Sequence, residues 1–308
     1  MQKDYSSRCM RLIPLLLLTA CAAAGCSGKS ASDRTATGLS PSPTYSEETM
    51  RLPVIPGHIS RSDERVAYAA AHFWDSLDFS RDARALDTAF MEQNFANFIT
   101  VAAYAAEEEA QKAVDRLLDR ASVSHSTRDL IDHIAAKYLD DPNSPLRSEE
   151  LYVMFLRHMA ADSMSGDAKK ARAQFRLEQA MKNRVGSVAS DLCITTGDGK
   201  ETSLLKLVGN DTTLIMFYDP SCEQCDALIS YLDNTRIDRR FKVIAVDVAD
   251  DRQLREKTGS AMPAGWITTF ATKAIDLEEK YYLPALPSLY LIAPDGTVIL
   301  KDIPPTAF

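Results

Sequence analysis

"FYDPSCEQCDALISYLDN", residues 217–234, holds two cysteines separated by two residues, where an apolar run gives way to an amphipathic pattern. Such a pair is a redox couple, half of a metal site or a structural staple, and the surrounding sequence has to decide. The run before it, "TTLIMFY" (212–218), is β-branched and aromatic, as in strands buried on both faces. After it, Cys225, Leu228, Ile229 and Leu232 recur at helical spacing. Cys222 is therefore expected at a strand-to-helix junction, where unpaired amide N–H groups and the positive end of a helix dipole favour negative charge on sulfur. That makes it the expected nucleophile. Cys225 falls one turn later on the apolar stripe and is the expected resolving thiol, with a spacing that lets the two sulfurs meet without bending the chain.

Working outward, "FKVIAVDV" (241–248) reads as a second buried strand, and a strand, helix, strand order implies a right-handed crossover and a parallel pair. "DLCITTGDGKETSLLKL" alternates around Gly-Asp-Gly, and "PSLYLIAPDGTVILKD" around Pro-Asp-Gly, so two antiparallel hairpins are predicted. The C-terminal part is thus α/β with a mixed sheet. Upstream, residues 51–184 read as helices throughout. "SRSDERVAYAAAHFWDSLDF" (60–79) begins at a serine with an acid three residues on, and Val66, Ala70, Phe73, Trp74 and Leu77 form one stripe. Five further segments follow with the same spacing, several behind Ser or Asp caps and without a fixed-length repeat, which predicts a compact all-α domain of about six helices.

The start of the chain reads as an address. Lys3, Arg8 and Arg11 precede an apolar run from Leu12 to Ala20, too short for a comfortable membrane span, so residues 1–26 are expected to be a signal peptide. "LTAC" (18–21) resembles the lipobox of bacterial lipoproteins, with Cys21 as the expected lipidated residue and Cys26, in "AAGC", as the alternative. Residues 27–50, rich in Ser, Thr, Gly and Pro, are the expected flexible tether. The expected location is the bacterial cell envelope, membrane-anchored and facing the periplasm or the cell surface. Of six cysteines, Cys193, Cys222 and Cys225 then remain, which suits a local pair plus one inert buried thiol better than a disulfide-stapled fold. A net charge of −8 leaves no basic surplus for nucleic acid.

Residues 186–308 resemble a thioredoxin-fold domain of the bacterial thiol–disulfide oxidoreductase type that includes TlpA-like proteins. "VGSVASDLCITTGDGK" matches the opening hairpin, "LIMFYDPSCEQC" the strand and active-site turn, and "ALPSLYLIAPDGTVILKD" the closing hairpin. Pro287 matches the proline that, in that family, is cis beside the cysteines and shapes the peptide-binding edge. The resemblance implies client contacts at Pro287, Ser221 and Leu286, with protein thiols and disulfides as partners and no cofactor. Residues 51–184 resemble a helical domain of unknown function that precedes thioredoxin folds in some bacterial lipoproteins. There are departures: Ser221 stands where thioredoxin has Trp, and Glu223 and Gln224 replace Gly-Pro. Met216 occupies the place of a buried acid, and Glu223 should oppose thiolate formation. The chain also stops soon after the last hairpin, where the fold normally adds a helix, so the helical domain is expected to cover some of the sheet.

Zinc would need two ligands beyond the cysteine pair, and no histidine follows His158; no metal site is expected, and a Cys–His hydrolase or copper chaperone is disfavoured for the same reason. A peroxiredoxin would carry a Thr a short turn before its cysteine, which "YDPSC" lacks. The five histidines, His58, His72, His125, His133 and His158, form no ligand pair. Another reading is a lipoprotein whose helical domain binds a partner while the thioredoxin unit is a scaffold with a static disulfide.

Overall fold

The structure, a computed structural model, describes residues 49–162, 166–249 and 262–302. The expected leader with Cys21 and Cys26, and the tether up to residue 48, lie outside the described residues, as do 303–308.

Among the described residues, six α-helices come first: α1 (Ser62–Ala71), α2 (Thr88–Ala102), α3 (Glu107–Ala121), α4 (His125–Ala135), α5 (Glu149–Ala161) and α6 (Asp167–Ala180). Local chemistry sets their starts. Side chains of Asp87, Ser124 and Ser148 accept the backbone N–H of Phe90, Thr127 and Leu151, each satisfying a donor that the first helical turn leaves over. Three glutamates open α3 and Arg120 closes it, matching both ends of its dipole. One boundary differs from expectation. Helix α1 begins at Ser62 behind an Arg61 that makes no side-chain cap, and it ends at Ala71. Phe73, Trp74 and Leu77 reach the core from the turns that follow, because the chain folds back over α2 and α3 there. Phe95 and Phe155, with ring centroids 5.6 Å apart, lie at the centre of this core.

The second part is one sheet of seven strands in the order β2-β1-β5-β4-β3-β6-β7. The strands are β1 (Cys193–Thr196), β2 (Glu201–Ser203), β3 (Thr213–Tyr218), β4 (Lys242–Asp247), β5 (Ile267–Ala271), β6 (Ser288–Ile292) and β7 (Val298–Lys301). β3 runs parallel to β4, and β4 to β5; the remaining pairs are antiparallel. Period-two alternation divides the buried residues. Leu214, Met216, Tyr218, Val243, Ala245, Leu289 and Leu291 face helix α8 (Glu223–Asn234). Ile215, Phe217, Ile244, Val246, Tyr290 and Ile292 pack on the other side, with α7 (Leu204–Val208) and α9 (Ala274–Lys280). Both β5 and α9 are absent from the sequence reading. Cys193 also departs from it: the side chain expected to be buried and inert is exposed at the start of β1, while its neighbour Ile194 points inward.

No apolar residue of the helical core joins either sheet cluster, so the junction between the two parts is polar. Lys182 donates to the Glu278 carbonyl at 2.8 Å, and Asn183 to that of Lys280 at 2.9 Å, both at the end of α9. Arg176 of α6 lies over the Tyr282 ring, 5.8 Å from its centroid, and further contacts grip the end of β7.

Candidate active site

β3 delivers the chain to Tyr218, and the turn Asp219–Ser221 reverses it into α8. An Asp219 carboxylate oxygen accepts the Ser221 N–H and hydroxyl, each at 2.7 Å, closing a local Asx turn. Cys222 follows as the N-cap of α8, with φ −91° and ψ 111°. Its sulfur takes the place of the usual capping oxygen: the N–H of Cys225 donates to Cys222 Sγ at 3.2 Å. On its other side, the Cys222 thiol donates to the Leu286 carbonyl at 3.8 Å.

The two thiols differ in surroundings. Cys222 is half-buried, whereas Cys225 is fully buried among Leu228, Leu232 and the α8 face of the sheet. Burial pushes the Cys225 thiol up to about 12, helped by its hydrogen bond with Cys222, while a backbone hydrogen bond from Asp219 pulls the other way. Cys225 is thus held as a neutral thiol at neutral pH. Both cysteines are free, as is Cys193.

The remaining expected site residues fall around this pair. Leu286 and Pro287 form a turn before β6, joined by a cis peptide bond, and both are half-buried. Ser221 is exposed beside Cys222, and Glu223, also exposed, is the first helical residue. Met216 lies buried on the Cys225 face of the sheet. A residue absent from the sequence reading is Asp247, the one wholly buried Asp or Glu among the described residues. It ends β4 in register with Tyr218 and, two positions after Ala245, belongs to the face that carries Cys225. Its carboxylate accepts the Ala249 N–H at 2.8 Å. An acid closing a run of "KVIAV" is the only trace it leaves in the sequence. No group of three or more His, Cys, Asp or Glu residues is arranged to hold a metal among the described residues.

Two family models match the chain: a domain of unknown function, DUF5106, over residues 25–183, and a thioredoxin-like domain over residues 202–305. The first spans just over half of the 308 residues. The chain belongs to the DUF5106 family, with a thioredoxin-like domain after the helical one. A crystal structure of a thioredoxin-like protein from Bacteroides caccae is 30% identical, with a TM-score of 0.75 over 83% of this chain and 95% of that one. The thioredoxin domain of a thiol-disulfide oxidoreductase from Bacteroides vulgatus is 22% identical over 39% of this chain and 89% of that one, with a TM-score of 0.35. A thiol:disulfide interchange protein from a Bacteroides species is 22% identical over 41% and 86%, at 0.37. No curated protein matches this DUF5106 protein. A thioredoxin-like fold bearing a C-x-x-C pair supports a function of the redox type.

Proposed function

We propose that this DUF5106 protein is an exported thiol–disulfide oxidoreductase that exchanges disulfides with protein clients through Cys222 and Cys225. The observation that carries the reading is the inequality of the two thiols: Cys222 is reachable at the amino end of α8, and Cys225 is buried one turn behind it and kept protonated. In the reducing direction, the Cys222 thiolate attacks one sulfur of a client disulfide. The client's S–S bond breaks, and the departing client sulfur takes up a proton. Cys225 then gives up its proton and attacks Cys222 Sγ, releasing the second client sulfur. Two electrons have passed to the client, and the pair is a disulfide. Run backwards, the same steps oxidise a dithiol.

The basic start, apolar run and cysteines of residues 1–26 support a bacterial envelope location with a lipid anchor at Cys21, or at Cys26. Pro287, Leu286 and Ser221 form the rim against which an extended client segment would lie.

The test is trapping. A Cys225→Ser variant of the full chain should accumulate mixed disulfides with clients that disappear on reduction, and Cys222→Ser should accumulate none. If neither variant traps a client and the wild type does not reduce insulin, the pair is a structural remnant on a binding scaffold.

A further inference from the structure

The sheet and the helical domain are held together by a crosswise pair of buried contacts that ends beside the proposed nucleophile. The chain entering α5 carries Arg147 and Glu149, and the chain leaving β7 carries Lys301 and Asp302. Arg147 meets Asp302 at 2.9 Å, and Lys301 meets Glu149 at 2.6 Å. The Lys301 side chain is only 3% exposed, an expensive place for a charge unless every donor is used. Its ammonium also reaches the carbonyls of Ala180 at 3.3 Å and Lys182 at 2.8 Å, which close α6. Two hydrogen bonds and one ion pair therefore hold the ammonium, and one side chain of β7 joins the negative end of α6 to an acid at the positive end of α5.

Asp302 carries the connection further. While one carboxylate oxygen holds Arg147, the other accepts the Ser288 hydroxyl at 2.8 Å. Ser288 is 2% exposed, so its hydroxyl needs this partner. Asp302 adopts φ 51°, a left-handed conformation that non-glycine residues keep only where neighbours hold them. Ser288 directly follows Pro287, and the Leu286 carbonyl, one residue earlier, takes the Cys222 thiol. Ser288 projects to the face opposite Cys225, alternating with Leu289, so it anchors the turn from behind.

We propose that Arg147, a residue of the helical domain, is a positioning residue of the thiol site, acting through Asp302 and Ser288 to hold the Leu286 carbonyl against Cys222. On this reading, which rests on Cys222 as the attacking thiol, the DUF5106 domain tunes the reactive sulfur without touching client or cysteine. Freed from its anchor, the Leu286–Ser288 turn drifts and the reduced form loses a hydrogen bond to its thiol. The pair then becomes more reducing, and the Cys222 sulfur, no longer held to the carbonyl, reacts faster.

The test compares full-length variants by the rate at which iodoacetamide labels Cys222 at a fixed neutral pH and by the reduction potential of the pair. Arg147→Ala and Ser288→Ala should each speed labelling several-fold and lower the potential. The double variant should go no further than either alone, because both break one chain. Arg147→Lys should restore most of the wild-type rate. Lys182→Ala, which removes a junction contact unconnected to the turn, should change neither readout. The proposal is overturned if folded Arg147→Ala labels at the wild-type rate, or if Lys182→Ala shifts labelling as much as Arg147→Ala does. Should Arg147→Ala fail to fold, Ser288→Ala decides alone, and an unchanged rate there overturns the proposal. Labelling is read without any client. A Cys225→Ser variant that traps no client while Arg147→Ala still alters Cys222 removes the proposed activity and keeps the positioning role. Trapping with no effect of Arg147→Ala does the reverse.

Discussion

The two domains of this chain solve stability in different ways, and only one of them exposes chemistry. The helical domain is held by apolar stripes and capped ends around Phe95, Phe98 and Phe155, and several of its ion pairs lie on the surface, while Arg128 and Asp132 pair in a buried position. The sheet domain buries both faces of its central strands and then interrupts that packing at one end, where α8 begins with a sulfur as its cap. A fold that is sealed everywhere can afford one unsealed helix start, and reactivity concentrates there. Between the two lies a junction of charges instead of a shared apolar core, so what one domain transmits to the other passes through particular side chains.

The comparison breaks most easily at the cores. Phe155→Ala, at a position with no exposed surface, should cost the helical domain about 3–5 kcal/mol, and Phe217→Ala should cost the sheet domain a similar amount. Each domain holds one tryptophan, Trp74 or Trp266, both buried. Replacing either by Phe lets urea unfolding be followed in one domain at a time. Phe155→Ala should lower the midpoint reported by Trp74 more than that reported by Trp266, and equal shifts would show a single cooperative unit.

A smaller effect sharpens the account of the junction. Burial raises the Glu149 carboxyl from 4.5 to about 7, with Lys301 opposing the shift. Between those two values the folded chain binds more proton than the unfolded one, so this group makes stability fall as pH rises through that window and adds no slope above it. The difference is at most about 3 kcal/mol. Glu149→Gln cannot titrate, so the wild-type and variant curves of stability against pH should diverge in slope between pH 4.5 and about 7 and run parallel above it. Parallel curves throughout would remove Glu149 from the junction's pH response.

The smallest expected change is at the cap of the same helix. Ser148→Ala removes the acceptor for the Leu151 N–H and should cost about 1 kcal/mol in urea unfolding, read by Trp74.

How much of this was legible depended on whether the signal was local. Cys222 and Cys225 announce their strand-to-helix junction because the apolar run, the turn residues and the helical stripe lie within 23 consecutive positions, 212–234. The two hairpins were legible for the same reason, each having glycine at its turn with φ near +85°, at Gly199 and Gly296. β5, "ITTFA", was not: two threonines dilute its apolar alternation, and its place between β1 and β4 comes from pairing with strands far away in the chain. The exposure of Cys193 depends on which face of a short edge-side strand turns inward, which alternation alone leaves open. Arg147 and Asp302 are 155 residues apart, so no periodicity connects them. Asp247 was hidden by the opposite effect, one acid at the end of an apolar strand passing for a turn residue.

The inequality of Cys222 and Cys225 is the claim on which the function rests, and labelling each cysteine separately tests it most directly. Reduced full-length protein is treated with iodoacetamide near pH 7, and modification of Cys222, Cys225 and the exposed Cys193 is followed by peptide mass spectrometry. The account predicts that Cys222 is modified first, ahead of Cys193 despite being less exposed, and that Cys225 stays unmodified in the folded chain. Modification of Cys225 as fast as Cys222, or of Cys193 ahead of both, would contradict it.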